Sequence, residues 1–344
     1  MTDVVHLHVG EPKTGTTYLQ AMLMQHQEQL AVDGLLVPGR RIDQVRGAQE
    51  MLDPREEGRG RFEGRWQSLA DEIASYAGPA AVVSMESLVR ARPEQAERAV
   101  TALGVSSVRV IITVRDLARV IPAQWQESLQ FGHTWTFDEY VQAVTAPRPR
   151  SSKPGRSFWD QHDTENILQI WGDVVGQSNV ILVTLPRTSG DPLALWRRFA
   201  AALGIDGDPY GPAPTANESL GAASAELMRR VNLEIGPDTL TRQEYSRLLR
   251  DWLSKTILAA RRESESRVVL PESAQPWAHA KSEETISTIA KAGVTVIGDL
   301  DDLRVASPPA SSPAAASEPP SDTDVSAAAV AAMASMVLSR RRQT

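Results

Sequence analysis

The sequence predicts an α/β fold with a doubly wound, mostly parallel central sheet and helices on both faces. Three observations predict it. Short apolar runs at 4–10, 80–85, 109–114 and 179–185 alternate with longer amphipathic stretches, the pattern of buried parallel strands joined by helical crossovers. The first run passes through a glycine-containing loop directly into a helix opened by two threonines, a strand–loop–helix unit. The chain of 344 residues, 42% apolar and 23% charged, has the composition of a soluble globular protein and the length of one large α/β domain or two small ones.

Helical periodicity is expected over 16–32, 66–76, 94–103, 118–130, 161–175 and 192–203. Two stretches interrupt the alternation and read as long loops. Residues 38–65 are rich in Arg, Glu and Gly, and 146–156 contain three prolines and several basic residues. Residues 222–262 read as two helices, with short strands at 267–270 and 294–296. A Pro/Ala/Ser-rich linker over 305–324 then separates a domain at 1–304 from an Ala-rich helix and tail at 325–344. The tail ends in Arg340-Arg341-Arg342, which suit the negative end of a helix. It reads as a solvated helix on a tether, or as a helix for a partner or a membrane surface.

Composition excludes several functions. A net charge of −7 argues against nucleic acid as a partner, while leaving room for a local basic pocket. The absence of cysteine removes disulfides, thiolate metal sites and cysteine nucleophiles. The start of the chain lacks the pattern of a secretory signal, and no apolar run reaches the ~18 residues of a transmembrane helix. A cytoplasmic enzyme is expected. No histidine–carboxylate cluster has metal-ligand spacing, so no metal is expected.

The most informative segment is Val4-Val5-His6-Leu7-His8-Val9-Gly10-Glu11-Pro12-Lys13-Thr14-Gly15-Thr16-Thr17-Tyr18-Leu19-Gln20. Gly10 and Gly15 have the separation of the nucleotide-binding G-x-x-x-x-G-K-[ST] loop, but Thr16 stands where that motif has lysine. The only lysine is Lys13, inside the loop. As an ordinary turn, Gly15 would permit the bend and the threonines would cap the helix. That reading leaves a lysine facing the positive end of the helix dipole, which a bound anion would compensate.

The run Pro12-Lys13-Thr14-Gly15-Thr16-Thr17-Tyr18-Leu19 resembles the 5′-phosphosulfate loop of sulfotransferases, whose donor is 3′-phosphoadenosine 5′-phosphosulfate (PAPS). Those enzymes carry [PS]-K-[ST]-G-[ST]-[ST]-aromatic-Leu here. The overall pattern is similar to bacterial, especially actinobacterial, members over about residues 4 to 304. The resemblance implies a P-loop-like three-layer sandwich. It also implies that Lys13, Thr14, Gly15, Thr16 and Thr17 hold the phosphosulfate, with Lys13 catalytic at the bridging oxygen. Trp159-Asp160-Gln161, Val183-Thr184-Leu185-Pro186, Trp196-Arg197-Arg198-Phe199 and Asn217-Glu218-Ser219-Leu220 are similar to the family's downstream landmarks. Asn217 and Ser219 suit either the cofactor or lid region or turn and N-cap roles.

The 109–114 strand leads into Arg115-Asp116. Arg115 suits a phosphate fork, or a contact with Asp116 or backbone that orders the turn. The resemblance implies that Arg115 holds the 3′-phosphate. The family's serine eight positions later is Ala123 here, with Gln124 and Ser128 as substitutes. The 80–85 strand ends in Glu86, positioned to act as a general base, or to cap the next turn or pair with Arg90. The resemblance places a catalytic base at this topological position. His6 and His8 alternate with apolar residues and read as sheet residues, while His133 and His162 lie near acceptor-loop candidates.

The function expected is sulfuryl transfer from PAPS to a hydroxyl or amine of a small-molecule or carbohydrate acceptor. A catalytically idle nucleotide-binding or scaffold protein of the same fold, or a P-loop kinase, is the alternative. Loops at 38–65 and 131–160 would select the acceptor. Trp135, Phe137, Phe158 and Trp159 would form an apolar wall there or pack in the core.

Overall fold

A computed structural model of the protein describes residues 2–53, 62–187, 190–214, 219–305, 315–316 and 319–341. The chain begins with β1 (Val4–His8), α1 (Thr16–Gln25), α2 (Gln27–Val32), β2 (Leu35–Leu36), α3 (Arg41–Met51) and α4 (Arg65–Ser75). Next come β3 (Ala80–Ser84), α5 (Pro93–Thr101), β4 (Ser107–Val114), α6 (Leu117–Gln130), α7 (Phe137–Thr145), α8 (Lys153–His162) and α9 (Thr164–Val175). The rest comprises β5 (Val180–Thr184), α10 (Ala194–Leu203), α11 (Ala222–Ile235), α12 (Arg242–Tyr245), β6 (Arg267–Val268), α13 (Gln275–Lys291), β7 (Thr295–Ile297), β8 (Ala315–Ala316) and α14 (Asp322–Arg341).

Two units share the chain. One contains residues 1–116, 160–215 and 281–304; the other contains 117–159, 216–280 and 305–344. The first is the three-layer α/β sandwich. Its six strands are all parallel, in the order β2-β3-β1-β4-β5-β7. β1 is therefore central, with His8 opposite Ser84 on β3 and Ile111 on β4. Because every strand points the same way, the segments after His8, Ser84, Val114 and Thr184 all leave from one edge. That edge is where open α/β sheets bind ligands.

Side-chain alternation divides this unit into two core layers. Val5, Leu7, Val83, Val110, Ile112 and Leu182 face a cluster containing Trp66, Ala96 and Trp171 from α4, α5 and α9. Val82, Ile111, Ile181 and Val183 face Leu19, Met22, Leu23, Trp196 and Phe199 from α1 and α10.

The expected elements recur with some differences. The helix expected over 16–32 breaks at His26, whose backbone leaves helical geometry and whose Nε2 donates to the Gly211 carbonyl at 2.8 Å. The loop expected over 38–65 contains α3. Its buried positions are Gln44, Gly47, Ala48 and Met51, so helical spacing is present but hydrophobicity is not. The 146–156 stretch holds a 3₁₀ turn, Pro149–Ser151, and the start of α8. α7, which was not expected, opens on a capping box, in which Thr136 Oγ1 accepts from Glu139 N at 3.2 Å and the Glu139 carboxylate accepts from Thr136 N at 2.8 Å.

The second unit is mainly helical and packs around Val120, Trp125, Leu129, Tyr140, Phe158, Met228, Leu253 and Leu258. A π-helical stretch, Ser246–Leu258, continues from α12, and β6 pairs in parallel with β8. α14 is docked against α11 instead of standing free in solvent. Val325, Ala328 and Ala332 are buried, and Asp322 pairs with Arg230 at 2.8 Å. Small alanine side chains allow this close approach. Most of the 305–324 linker lies outside the described residues. No helix among the described residues is long and apolar enough to cross a membrane.

Candidate functional site

The loop between β1 and α1 has two glycines and one lysine in unusual backbone conformations. Gly10 has φ 35°, Lys13 φ 62° and Gly15 φ 88°; Lys13 is the only non-glycine with positive φ among the described residues. A Cβ on Gly10 would come within 2.8 Å of His8 Nε2 and 2.9 Å of both Thr113 Oγ1 and Thr16 Cγ2. Gly15 is the N-cap of α1, left-handed and without a side chain that could bond the first-turn amides. The first turn of α1 contains no acidic residue. The helix therefore offers its amide-rich end without a built-in carboxylate, the arrangement that accepts an anion.

A ladder of polar side chains supports this loop from below. Ser84 Oγ lies 2.7 Å from His8 Nδ1, and His8 Nε2 lies 3.2 Å from Thr113 Oγ1. Thr113 Oγ1 is 2.6 Å from Thr14 Oγ1, and the Thr14 hydroxyl donates to the Glu11 carbonyl. Since a carbonyl only accepts and each hydroxyl has one proton, the directions follow along the chain. Thr113 donates to Thr14, His8 donates through Nε2 to Thr113, and Ser84 donates to His8 Nδ1. Burial independently keeps His8 neutral by pushing its pKa down to about 3.

The ladder crosses β3, β1 and β4 and terminates in the loop. It also fixes the disposition of Thr14, whose hydroxyl is used inward at a fully buried position. Thr16 is buried beside it, whereas Thr17 is exposed and Lys13 is half-buried. His6 is likewise a sheet residue, with its pKa lowered to about 4 by burial and by the nearby Arg109 charge.

Arg115, directly after β4, reaches the same loop. Its Nη1 donates to the Lys13 carbonyl at 3.0 Å. The contact joins the two cation-bearing segments and braces the left-handed residue. Glu86 follows β3 at the first position of the 3₁₀ turn Glu86–Arg90. Its carboxylate accepts from Gln20 Nε2, which also donates to the Ser84 carbonyl at 3.1 Å. Gln20 lies on α1, so the helix that starts at the loop also holds Glu86. The Arg90 pairing considered from sequence is replaced by this Gln20 contact.

The fold brings Lys13, Arg115 and Glu86 to one edge of the sheet. Sequence reasoning gave no role to Gln20, the residue directly after the motif. It also missed Glu11, whose partners Thr164 and His162 lie more than 150 residues downstream. An acid beside the loop lysine was the available signal for Glu11. In the other unit, Ser128 donates to the Trp125 carbonyl within its own helix at 2.6 Å. Phe158 and Trp159 are core residues there, while Trp135 and Phe137 pack against that core. Ser219 is described, but Asn217 lies outside the described residues. Among the described residues, no group of three or more His, Cys, Asp or Glu side chains is arranged to hold a metal ion.

No family model matches the chain, and no curated protein matches it. Among solved structures it is similar to a sulfotransferase from Alicyclobacillus acidocaldarius, with 18% identity over 67% of this chain and 93% of that one, at a TM-score of 0.40. It is also similar to the sulfotransferase domain from the curacin biosynthetic pathway, with 14% identity over 60% and 75% of the two chains, at a TM-score of 0.34. Similarity at this level assigns neither a reaction nor a substrate to this chain.

Proposed function

We propose that the protein is a PAPS-dependent sulfotransferase acting on a hydroxyl or amine of a small-molecule or carbohydrate acceptor. The observation that carries the reading is the uncapped, acid-free N-terminus of α1, preceded by left-handed Lys13 and braced by Arg115. An anionic donor suits the amide-rich helix end and the two cations beside it.

In this reading the loop amides and the Thr17 hydroxyl receive the phosphosulfate, and Arg115 receives the 3′-phosphate. The acceptor oxygen attacks sulfur as Glu86 takes its proton. The sulfur–oxygen bond to the 5′-phosphate breaks in line, and that bond's electron pair stays with the phosphate oxygen. Lys13 stabilises the charge developing there. The products are a sulfate ester, or a sulfamate from an amine, and adenosine 3′,5′-bisphosphate (PAP). Gln20 keeps the Glu86 carboxylate oriented.

Calorimetry with PAP, paired with transfer of label from sulfur-labelled PAPS into a host extract, tests the proposal. Binding plus a labelled product supports it. Binding without transfer leaves an idle nucleotide-binding protein, and absence of binding removes both. Magnesium-dependent ATP turnover would favour a kinase.

A further inference from the structure

The donor-loop reading above leaves a buried carboxylate with no part in the chemistry. Glu11 is 3% exposed, immediately before Pro12-Lys13. Its Oε1 accepts from Thr164 Oγ1 at 2.6 Å, and its Oε2 lies 3.3 Å from Nδ1 of His162, itself 3% exposed. Thr164 is the first residue of α9, and His162 ends α8. A carboxylate is costly to bury, and a glutamine would make most of the same contacts with less desolvation.

The main chain of Glu11 is fixed as well. Its N–H donates to the Thr113 carbonyl at 2.9 Å, and its carbonyl ends the hydroxyl ladder by accepting from Thr14. Two residues later the backbone turns left-handed at Lys13, a conformation that a non-glycine residue keeps only when its surroundings enforce it. Arg115 braces the Lys13 carbonyl, so Glu11 supplies the brace on the N-terminal side.

We propose that Glu11 is a positioning residue, clamped by Thr164 and His162, that locks the turn presenting Lys13. The inference rests on the donor-loop reading for its catalytic consequence but not for its structural one. The test compares full-length wild type with Thr164→Val, Thr164→Ser and Glu11→Gln. Amide hydrogen exchange is measured across the chain, with turnover of labelled PAPS in parallel.

Thr164→Val should raise exchange within residues 10–17 and lower kcat by about tenfold or more, since small misplacements of a catalytic group are costly. The KM for PAPS should change far less than kcat. Thr164→Ser should restore both readouts, and Glu11→Gln, which keeps most of the contacts, should raise the local exchange and lower kcat less than Thr164→Val does. Wild-type exchange in Thr164→Val would overturn the proposal. So would a rise spread evenly over the whole sheet with kcat unchanged, because that is a merely structural role. If the wild type neither binds PAP nor transfers sulfuryl, the assigned function fails while the exchange data still decide the clamp.

Discussion

The Gln20 side-chain amide donates to both the Glu86 carboxylate and the Ser84 carbonyl, tying α1 to the end of β3. Gln20 is buried, so its orientation is fixed by packing as well as by these acceptors. Glu86→Gln should slow sulfuryl transfer by about 100-fold or more, the usual range for a general base, and leave PAP affinity unchanged. Gln20→Ala should lower kcat less, through a looser Glu86, again with PAP affinity kept. Steady-state rates and PAP calorimetry check the pair, and wild-type rates in Glu86→Gln would remove the base assignment.

Under the proposed function, Lys13 sets activity against stability. A left-handed non-glycine residue costs about 1–2 kcal/mol relative to glycine, which adopts this conformation freely. Lys13→Gly should therefore fold at least as stably as wild type by denaturant unfolding while losing transfer. A marked loss of stability would show that the lysine side chain is structural.

At Gly10 the backbone and the packing both exclude a side chain. Gly10→Ala would place a methyl group within 2.9 Å of the His8–Thr113 contact and of Thr16. Overpacking of about 1–3 kcal/mol plus the cost of positive φ is expected in urea unfolding. PAP affinity should fall too, because the loop moves with the ladder.

Arg115 is expected to bind phosphate with a guanidinium fork. Arg115→Ala should weaken PAP by about 1.5–3 kcal/mol, roughly 10- to 160-fold, with a shallower salt dependence. Arg115→Lys should recover only part of this, since an ammonium cannot make the paired bonds while also holding the Lys13 carbonyl. Isothermal titration at two salt concentrations measures both effects.

Two buried histidines should weaken the fold in acid. Their folded pKa values, about 3 for His8 and about 4 for His6, lie below the unfolded value of 6.5. Between those values the unfolded chain binds protons that the folded chain does not. Stability is therefore fully present above pH 6.5 and is lost as pH falls through the folded values. Each histidine contributes about 1.4 kcal/mol per pH unit within its window. His6→Val should flatten the stability–pH slope between about pH 6.5 and 4 by one proton.

The strand–loop–helix unit was legible because its signals are local. Apolar runs marked β1, β3, β4 and β5, while the Gly10–Gly15 spacing and Lys13 marked the β1–α1 loop as the candidate anion site. α3 was not legible, since Gln44, Gly47 and Ala48 carry its buried face without a hydropathy signal. The docking of α14 was also hidden, because alanines give little hydrophobic pattern but pack closely on a neighbouring helix.

The sequence alone determined the α/β class, the parallel strands and the segments that carry Lys13, Glu86 and Arg115, because these follow from periodicity and residue type over short spans. Only the tertiary structure decided that β1 lies between β3 and β4, which carries those segments to one edge. It also decided that Thr14 turns inward, that Gln20 holds Glu86 and that Glu11 meets Thr164. These contacts join residues 66 to 153 positions apart. Strand order and close packing select them, and neither is encoded in local spacing.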